Sequence, residues 1–132
     1  MKTRKYKIVD GVPYVLVNET NVRDSIIAIA NKEWEPEDFT RYGTDLKESQ
    51  WKLEIVSINK IKEQTHLMAS KTFQADLKKR IVIQRKLYAK QTPLSPIVLR
   101  GSDYLIFDGY ARIYFLKGLG IKHVLAYVGY KI

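Results

Sequence analysis

The chain has 132 residues, a length that suits one compact domain able to bury a core. An apolar share of 45% and a charged share of 28% are those of an ordinary globular protein, and no apolar run is long enough for a membrane span. The absence of cysteine excludes disulfides and thiolate metal sites, and it agrees with the cytoplasmic location that we expect.

The net charge of +9 is distributed unevenly along the chain. Residues 1–7 carry four basic and no acidic side chains, residues 8–55 carry five basic and ten acidic, and residues 56–132 carry fourteen basic and four acidic. A basic body of this kind attracts nucleic acid or polyphosphate without sequence preference. A lysine-rich surface that serves only solubility has the same composition, and it remains the alternative.

The first element in chain order is a predicted β-hairpin. Residues 5–17 alternate between apolar and polar types around Asp10-Gly11. An Asp-Gly pair between two alternating runs is a strong short-range hairpin signal. Pro13 next to the turn predicts an unpaired edge on that arm.

Two helices follow the predicted hairpin. Residues 18–21 offer a helix cap, and apolar residues recur at helical spacing from Val22 as far as Trp34. Pro36 starts a second, short helix, after which residues 41–45 have the composition of a loop. We expect residues 1–50 to be an extension packed on the core, with an acidic surface for a protein partner as the alternative.

The middle of the chain predicts a strand and a long basic helix. Residues 51–61 alternate and then lead into a turn of helix. Thr72 is a predicted N-cap for a helix that ends before Pro93 and has one apolar face. The other faces, together with two lysines upstream, are the predicted DNA contacts, with a solvated helix surface as the ordinary alternative. These residues are Lys60, Lys62, Lys78, Lys79, Arg80, Arg85 and Lys86.

The last third of the chain predicts strand, turn, strand, helix and strand. The predicted bounds are 96–100, 101–103, 104–107, 110–119 and 123–130. The step from the second strand to the helix is made by Asp108-Gly109 without a spacer. Free N–H groups and the positive end of the helix dipole therefore lie beside the strand end, an arrangement that binds anions.

The residues around this step form the candidate catalytic and phosphate-binding site. Arg112 supplies a planar charged fork for a phosphate, and Asp108 can hold a metal-bound water or accept a proton. Gly109 lets a phosphate approach the backbone. Of Tyr110 and Tyr114, one turn apart, one can stack on a base while the other packs in the core. Arg100 at the end of the neighbouring strand can reach the same anion, with a solvated turn charge as the alternative. The structural alternative is a helix cap at Asp108 and a surface charge at Arg112.

Metal and nucleotide signatures are sparse in this sequence. The two histidines are isolated, and no spacing of His, Asp or Glu resembles a zinc site. A Mg²⁺ or other divalent cation held by Asp108 and a substrate phosphate is a hypothesis whose nearest second carboxylate is Asp103. A nucleoside triphosphate at the same loop is a second hypothesis, although no P-loop or hydrolase triad pattern is present.

The segments PIVLR, YLIFDGYAR and LKGLGIKHVLAYV resemble the end of the N-terminal domain of the ParB/sulfiredoxin superfamily. WKLEIVSINKIK is similar to the opening strand of that domain, so the resemblance covers residues 51–128. The chain departs from the family pattern at Ala111, where a second basic or amide residue usually precedes the arginine. It also lacks cysteine, which removes the thiol chemistry of sulfiredoxins.

The resemblance implies an α+β fold with a small mixed sheet packed by helices, to which residues 1–50 add the hairpin and helix. ParB proteins bind a cytidine nucleotide and clamp DNA, some relatives cleave DNA, and others use ATP or phosphorylate small molecules. Residues 51–132 are expected to form the ParB-like domain. Because the helix-turn-helix of a ParB protein is absent, we do not expect centromere binding in the manner of full ParB.

Three functional hypotheses follow. The first is a sequence-tolerant DNA-binding protein of the ParB-like nuclease type, which acts on phosphodiesters at the loop. The second is an NTPase or small-molecule kinase that uses the same loop. The third is a non-catalytic DNA-binding or partition factor whose acidic segment recruits a protein. A homodimer is left open under all three.

Overall fold

The computed structural model describes residues 5–17 and 22–132. The predicted helix cap at residues 18–21 lies outside the described residues. No helix in the described part of the chain is both long and apolar enough to cross a membrane.

The described chain forms six strands and five α-helices. The strands are β1 (Lys5–Val9), β2 (Val12–Leu16), β3 (Ser49–Ser57), β4 (Ile97–Arg100), β5 (Ile106–Asp108) and β6 (His123–Lys131). The helices are α1 (Val22–Glu33), α2 (Pro36–Glu48), α3 (Thr65–Met68), α4 (Lys71–Ala89) and α5 (Tyr110–Gly118). A 3-10 turn, Ile58–Lys60, follows β3.

The main sheet has four strands in the order β3-β6-β4-β5. β3 and β6 are antiparallel along nine residues, β6 and β4 are parallel, and β4 and β5 are antiparallel. The predicted α+β class, with a small mixed sheet built from these four strands, is therefore confirmed.

Helices cover both faces of this sheet. The side chains of a strand alternate between its two sides, so neighbouring residues of β4 belong to different cores. Ile97 and Leu99 of β4 belong to the core that also contains Leu77 of α4 and Leu116 of α5. Val98, between them, belongs to a second core on the opposite face. The buried helical members of that second core are Val22, Ile26 and Ala30 from α1 and Leu46 from α2.

The predicted N-terminal hairpin is present, with its turn at Asp10 and Gly11, but it forms its own two-stranded sheet. It is attached to the segment before β4, where Val15 N donates to Leu94 O at 2.8 Å and Leu94 N donates to Pro13 O at 3.0 Å. It does not extend the main sheet, because this contact is an isolated bridge at Leu94 and not a ladder with one of the four strands.

Helix α2 replaces the loop that the sequence predicts at residues 41–45. Its N-terminus has a capping box between Glu35 and Asp38. Phe39, Tyr42 and Leu46 then recur at helical spacing and pack against the second core. This prediction was wrong because the buried face outweighs the weak helix propensity of Gly43.

The start of α4 also differs from the prediction. Ser70, not Thr72, is the N-cap, and its hydroxyl accepts a hydrogen bond from Phe73 N at 3.2 Å. The single turn α3 was not predicted, since none of its four residues is buried and the periodicity is too short to read.

Candidate functional site

The step from β5 to α5 depends on Gly109. Its φ of 116° lies in the region that favours glycine, and it is the N-cap of the helix. A Cβ atom at this position would lie 2.5 Å from Ile97 Cγ2 and 3.1 Å from Arg112 Nη2. The helix therefore begins directly over the start of β4 because residue 109 has no side chain.

The N-terminus of α5 is not capped by any side chain of the described residues. The first bond within this turn joins Ile113 N to Gly109 O at 3.0 Å. The N–H groups of residues 110–112 precede that bond and therefore have no acceptor within the helix. The structure thus has the uncapped helix start that the sequence predicts for an anion site.

Arg112 lies against this helix start, and its guanidinium makes two sets of contacts. Nη2 donates to Asp108 Oδ2 at 2.7 Å, and Nη1 donates to the carbonyl oxygen of Ser95 at 2.8 Å. The side chain is only 15% exposed. Arg112 therefore joins α5 to the segment that leads into β4, a role that the sequence did not reveal because its partner at Ser95 is a backbone atom.

Asp108 is consequently paired in this structure. One of its carboxylate oxygens accepts from Arg112, and its side chain is 25% exposed. The pair is neutral as a whole, so the positive potential at the loop comes mainly from the helix start. A phosphate that binds there can bond to the helix N–H groups and compete with Asp108 for the guanidinium.

Tyr110 does not face the loop. Its ring is buried and meets Phe73 of α4 in a T-shaped contact with centroids 5.1 Å apart. Its hydroxyl oxygen accepts from Gln64 N at 2.6 Å, and burial raises its pKa above the usual value. Of the two tyrosines that the sequence singles out, Tyr110 is therefore the one that packs in the core, because its ring fills the contact between α4 and α5.

Tyr114, one turn further along α5, is the more accessible of the two tyrosines. Its hydroxyl donates to Glu63 Oε1 at 2.5 Å. Partial burial, together with this bond to a carboxylate, raises the pKa of Tyr114 to about 12. The bond joins α5 to the loop that follows β3.

Arg100 lies at the other end of β4 from the candidate loop. β4 and β5 are antiparallel with Val98 opposite Asp108, so the end of β4 lies beside the beginning of β5. Arg100 forms a two-armed pair with Asp103, at 3.0 and 2.7 Å, and its Nη1 lies 3.6 Å from Asp45 Oδ2. The bond from Arg100 lowers the pKa of Asp103. The structure therefore does not bring Arg100 to the anion site.

Helix α4 is the second candidate surface. Its apolar side packs on α5, with Tyr88 on Phe115 at 5.2 Å between ring centroids and Leu77 only 4% exposed. The opposite side of the helix therefore faces solvent. It carries Lys78, Lys79, Arg85 and Lys86, all of which are exposed.

The charges on this side of α4 are free of acidic partners within the described chain. None of those four residues forms a salt bridge with a carboxylate of residues 5–17 or 22–132. Arg80 differs from them. It pairs with Glu33 of α1 and with Asp76, each at 2.8 Å, and the bond to Glu33 raises its pKa. The guanidinium of Arg80, which the sequence predicts to contact DNA, thus binds a glutamate of the acidic segment.

The two upstream lysines lie outside α4. Lys60 ends the 3-10 turn after β3, and Lys62 N donates to Tyr104 O at 3.0 Å beside β5. Both side chains are exposed. They add to the basic surface but do not continue the rows of charge on the helix.

The described residues contain no group of three or more His, Asp or Glu side chains that is arranged to hold a metal ion. Asp103, the carboxylate nearest to Asp108 in sequence, binds Arg100 at the far end of β4. The two carboxylates are therefore not brought together.

No protein-family model and no curated protein matches the sequence. Among the similar solved structures are two of pNOB8-like ParB N-domains. The C2221 crystal form of a pNOB8-like ParB N-domain is 26% identical with a TM-score of 0.46, and a second structure of a pNOB8-like ParB N-domain is 29% identical with a TM-score of 0.41. Each comparison covers 62% of this chain, which spans 31% and 28% of the two solved chains.

Proposed function

We propose that this protein binds DNA through α4, by electrostatic contacts to phosphates and without sequence preference. The observation that carries the proposal is the solvent-facing side of α4, where Lys78, Lys79, Arg85 and Lys86 are exposed and unpaired within the described chain. Unpaired cations can be given to phosphates without first breaking an internal ion pair.

The spacing of these residues suits a linear polyanion. Lys71, Lys78 and Arg85 recur every seven residues and so lie on one side of the helix, in a row about 21 Å long. Lys79 and Lys86 form a second row beside the first. Two rows of cations on one rigid helix match the regular negative charge of a nucleic-acid backbone better than scattered lysines do.

The resemblance of residues 51–128 to ParB-type domains supports DNA as the nucleic acid. The exposed residues of α4 form no recognisable base-reading pattern, so the proposed contacts are to phosphates. We propose a partition-related role without sequence-specific recognition on the basis of the same resemblance.

The test is DNA binding by two double variants that remove the same charge. Lys78→Gln with Arg85→Gln removes two cations from one row, and the matched control, Lys117→Gln with Lys122→Gln, removes two exposed lysines elsewhere. On two unrelated duplexes in 0.1 M salt, the first variant should bind about tenfold or more weakly, and the control should bind as the parent does. Equal losses in both variants, or strong preference for one duplex, would contradict the proposal.

A second candidate function is the binding of a phosphate group at the start of α5. The uncapped helix N-terminus next to the guanidinium of Arg112 favours it. Asp108 is one carboxylate bound to that arginine, which does not fit a divalent cation, so no metal-dependent step enters this candidate. The phosphate belongs either to a nucleoside triphosphate or to a DNA strand.

Two measurements separate these ligands. A thermal-shift panel of nucleoside triphosphates tests nucleotide binding, and plasmid cleavage with and without Mg²⁺ tests the predicted nuclease. A shift that disappears in Arg112→Ala, while Lys117→Ala keeps it, supports a nucleotide at the loop. Parent protein that neither shifts nor cleaves would leave α5 with a structural role only.

A further inference from the structure

β3 is an outer strand of the main sheet. The backbone N–H and C=O groups of alternate residues in β3 point toward β6 or away from the sheet. Ile58 N donates to Lys122 O at 2.9 Å, which continues the ladder with β6 at an even-numbered residue. Gly129, which lies opposite Trp51, instead accepts from Gly101 N at 2.7 Å on its other side. The even-numbered residues of β3 therefore bond to β6, and the odd-numbered ones point outward.

The first outward carbonyl group agrees with this assignment. Ser49 O accepts from Arg23 Nη2 at 3.2 Å, at the end of β3 that α1 covers. Further along, the N–H and C=O groups of Trp51, Leu53 and Ile55 face outward, and no strand of the described residues pairs with them.

The side chains of β3 also alternate in character. Leu53 and Ile55 lie on one face of the sheet and are 37% and 54% exposed. Lys52 and Glu54 lie on the other face, where Glu54 accepts hydrogen bonds from the hydroxyls of Tyr104 and Tyr130. The edge thus offers free backbone groups, an exposed apolar pair and one charge of each sign.

We propose that two copies of this chain associate by antiparallel pairing of β3 with β3, about a two-fold axis at Leu53. Leu53 then lies opposite the partner's Leu53, and Trp51 lies opposite the partner's Ile55. Each of these facing pairs exchanges two backbone hydrogen bonds, and the two sheets become continuous. The contact covers the exposed side chains of Leu53 and Ile55.

The charges select this register over its neighbours. An axis at Leu53 puts Lys52 opposite the partner's Glu54, and it does so twice. An axis at residue 52 puts two lysines opposite each other, and an axis at residue 54 puts two glutamates together. Opposite charges across a strand pair stabilise it and like charges destabilise it, so the edge is complementary to itself in one register. The association is weak and depends on concentration, because a single strand pair buries little area.

The absence of cysteine from the chain permits a sharp test. In Leu53→Cys the two introduced thiols lie at the axis, where facing residues have Cα atoms about 5.5 Å apart, within the range of a disulfide. In the control Ile55→Cys they lie four residues out of register, about 14 Å apart. We expect oxidation at micromolar to millimolar concentration to cross-link the first variant and not the second. Equal cross-linking of both, or no cross-linking of Leu53→Cys, would overturn the proposal.

A charge variant tests the register without an introduced thiol. Lys52→Glu places two like-charged pairs across the axis and should raise the dissociation constant about fivefold or more in sedimentation equilibrium. Lys117→Glu makes the same charge change on the exposed side of α5 and should leave the dimer unchanged. A parent protein that stays monomeric, or a dimer that Lys52→Glu does not weaken, contradicts the proposed pairing.

Discussion

Gly109 and Gly118 lie at opposite ends of α5 and differ in their surroundings. A Cβ at Gly109 would meet Ile97 at 2.5 Å in a backbone with φ of 116°, whereas a Cβ at Gly118 would meet nothing within 4 Å. The turn before the helix therefore requires glycine, and the last turn of the helix does not. The sequence indicated the glycine step at Gly109, but it did not show that Ile97 enforces it.

Gly109→Ala should lower the free energy of unfolding by about 2 kcal/mol or more, because it combines a strained backbone with displacement of Ile97. Gly118→Ala, the matched change in the same helix, should raise it by roughly 0.5–1 kcal/mol, because alanine is the better helix former. Urea denaturation of both variants checks the pair. A Gly109→Ala protein as stable as the parent would show that the turn can relax.

The hydrogen bond from Tyr114 to Glu63 gives a test by pH. The pKa of Tyr114 is raised to about 12 from the usual 10.0, so the neutral hydroxyl is favoured in the folded state. The stability that this bond contributes is complete below pH 10 and is lost as the pH rises toward 12. The difference in unfolding free energy between the parent and Tyr114→Phe should therefore be constant up to pH 10 and shrink above it. A difference that stays constant to pH 12 would mean that neither burial nor this bond raises the pKa of Tyr114 in solution.

At the scale of elements, Arg112 connects α5 to the chain that enters β4. The residue itself could be singled out from the sequence, because an arginine one turn inside a helix next to a glycine step is typical of a phosphate site. Its partners could not, since the carbonyl oxygen of Ser95 has no sequence signature and the pair with Asp108 depends on the turn at Gly109.

Arg112→Ala should lower the free energy of unfolding by roughly 1–3 kcal/mol, because it removes charge-assisted bonds from a partly buried site and leaves Asp108 without its partner. Arg112→Lys should recover only part of the loss, since an ammonium group cannot reproduce the two-armed contact. Urea denaturation measures both. Equal stability of Arg112→Ala and the parent would show that the contacts are not maintained in solution.

The helices show where sequence patterns succeed and fail at this scale. α4 was predicted well because its apolar side repeats over many turns. α2 was shortened in the prediction because Gly43 interrupts its pattern. In the structure, Phe39 and Tyr42 of α2 pack against the second core together with Trp34, whose ring centroid lies 5.3 Å from that of Phe39. Which of Tyr110 and Tyr114 packs in the core could not be predicted, because the burial of Tyr110 against Phe73 depends on the angle between α4 and α5, which periodicity does not contain.

At the scale of the whole molecule, the acidic N-terminal segment and the basic body are parts of one packed structure. α1 and α2 cover one face of the sheet, and α4 and α5 cover the other. The segments interact electrostatically where Arg80 of α4 pairs with Glu33, and again where Arg100 and Lys131 approach Asp45. The sign and position of the charge could be predicted from composition, whereas the strand order that places Arg100 away from the loop could not, since it depends on long-range pairing.

The dependence of DNA affinity on salt tests the role of α4 most directly. If Lys78, Lys79, Arg85 and Lys86 each contact one phosphate, log K should fall against log salt with a slope of about −3.6. Lys78→Gln with Arg85→Gln should reduce the magnitude of that slope by about 1.8, while Lys117→Gln with Lys122→Gln should leave it at the parent value. A slope near zero for the parent, or the same slope in the α4 variant and the parent, would contradict DNA binding through this helix.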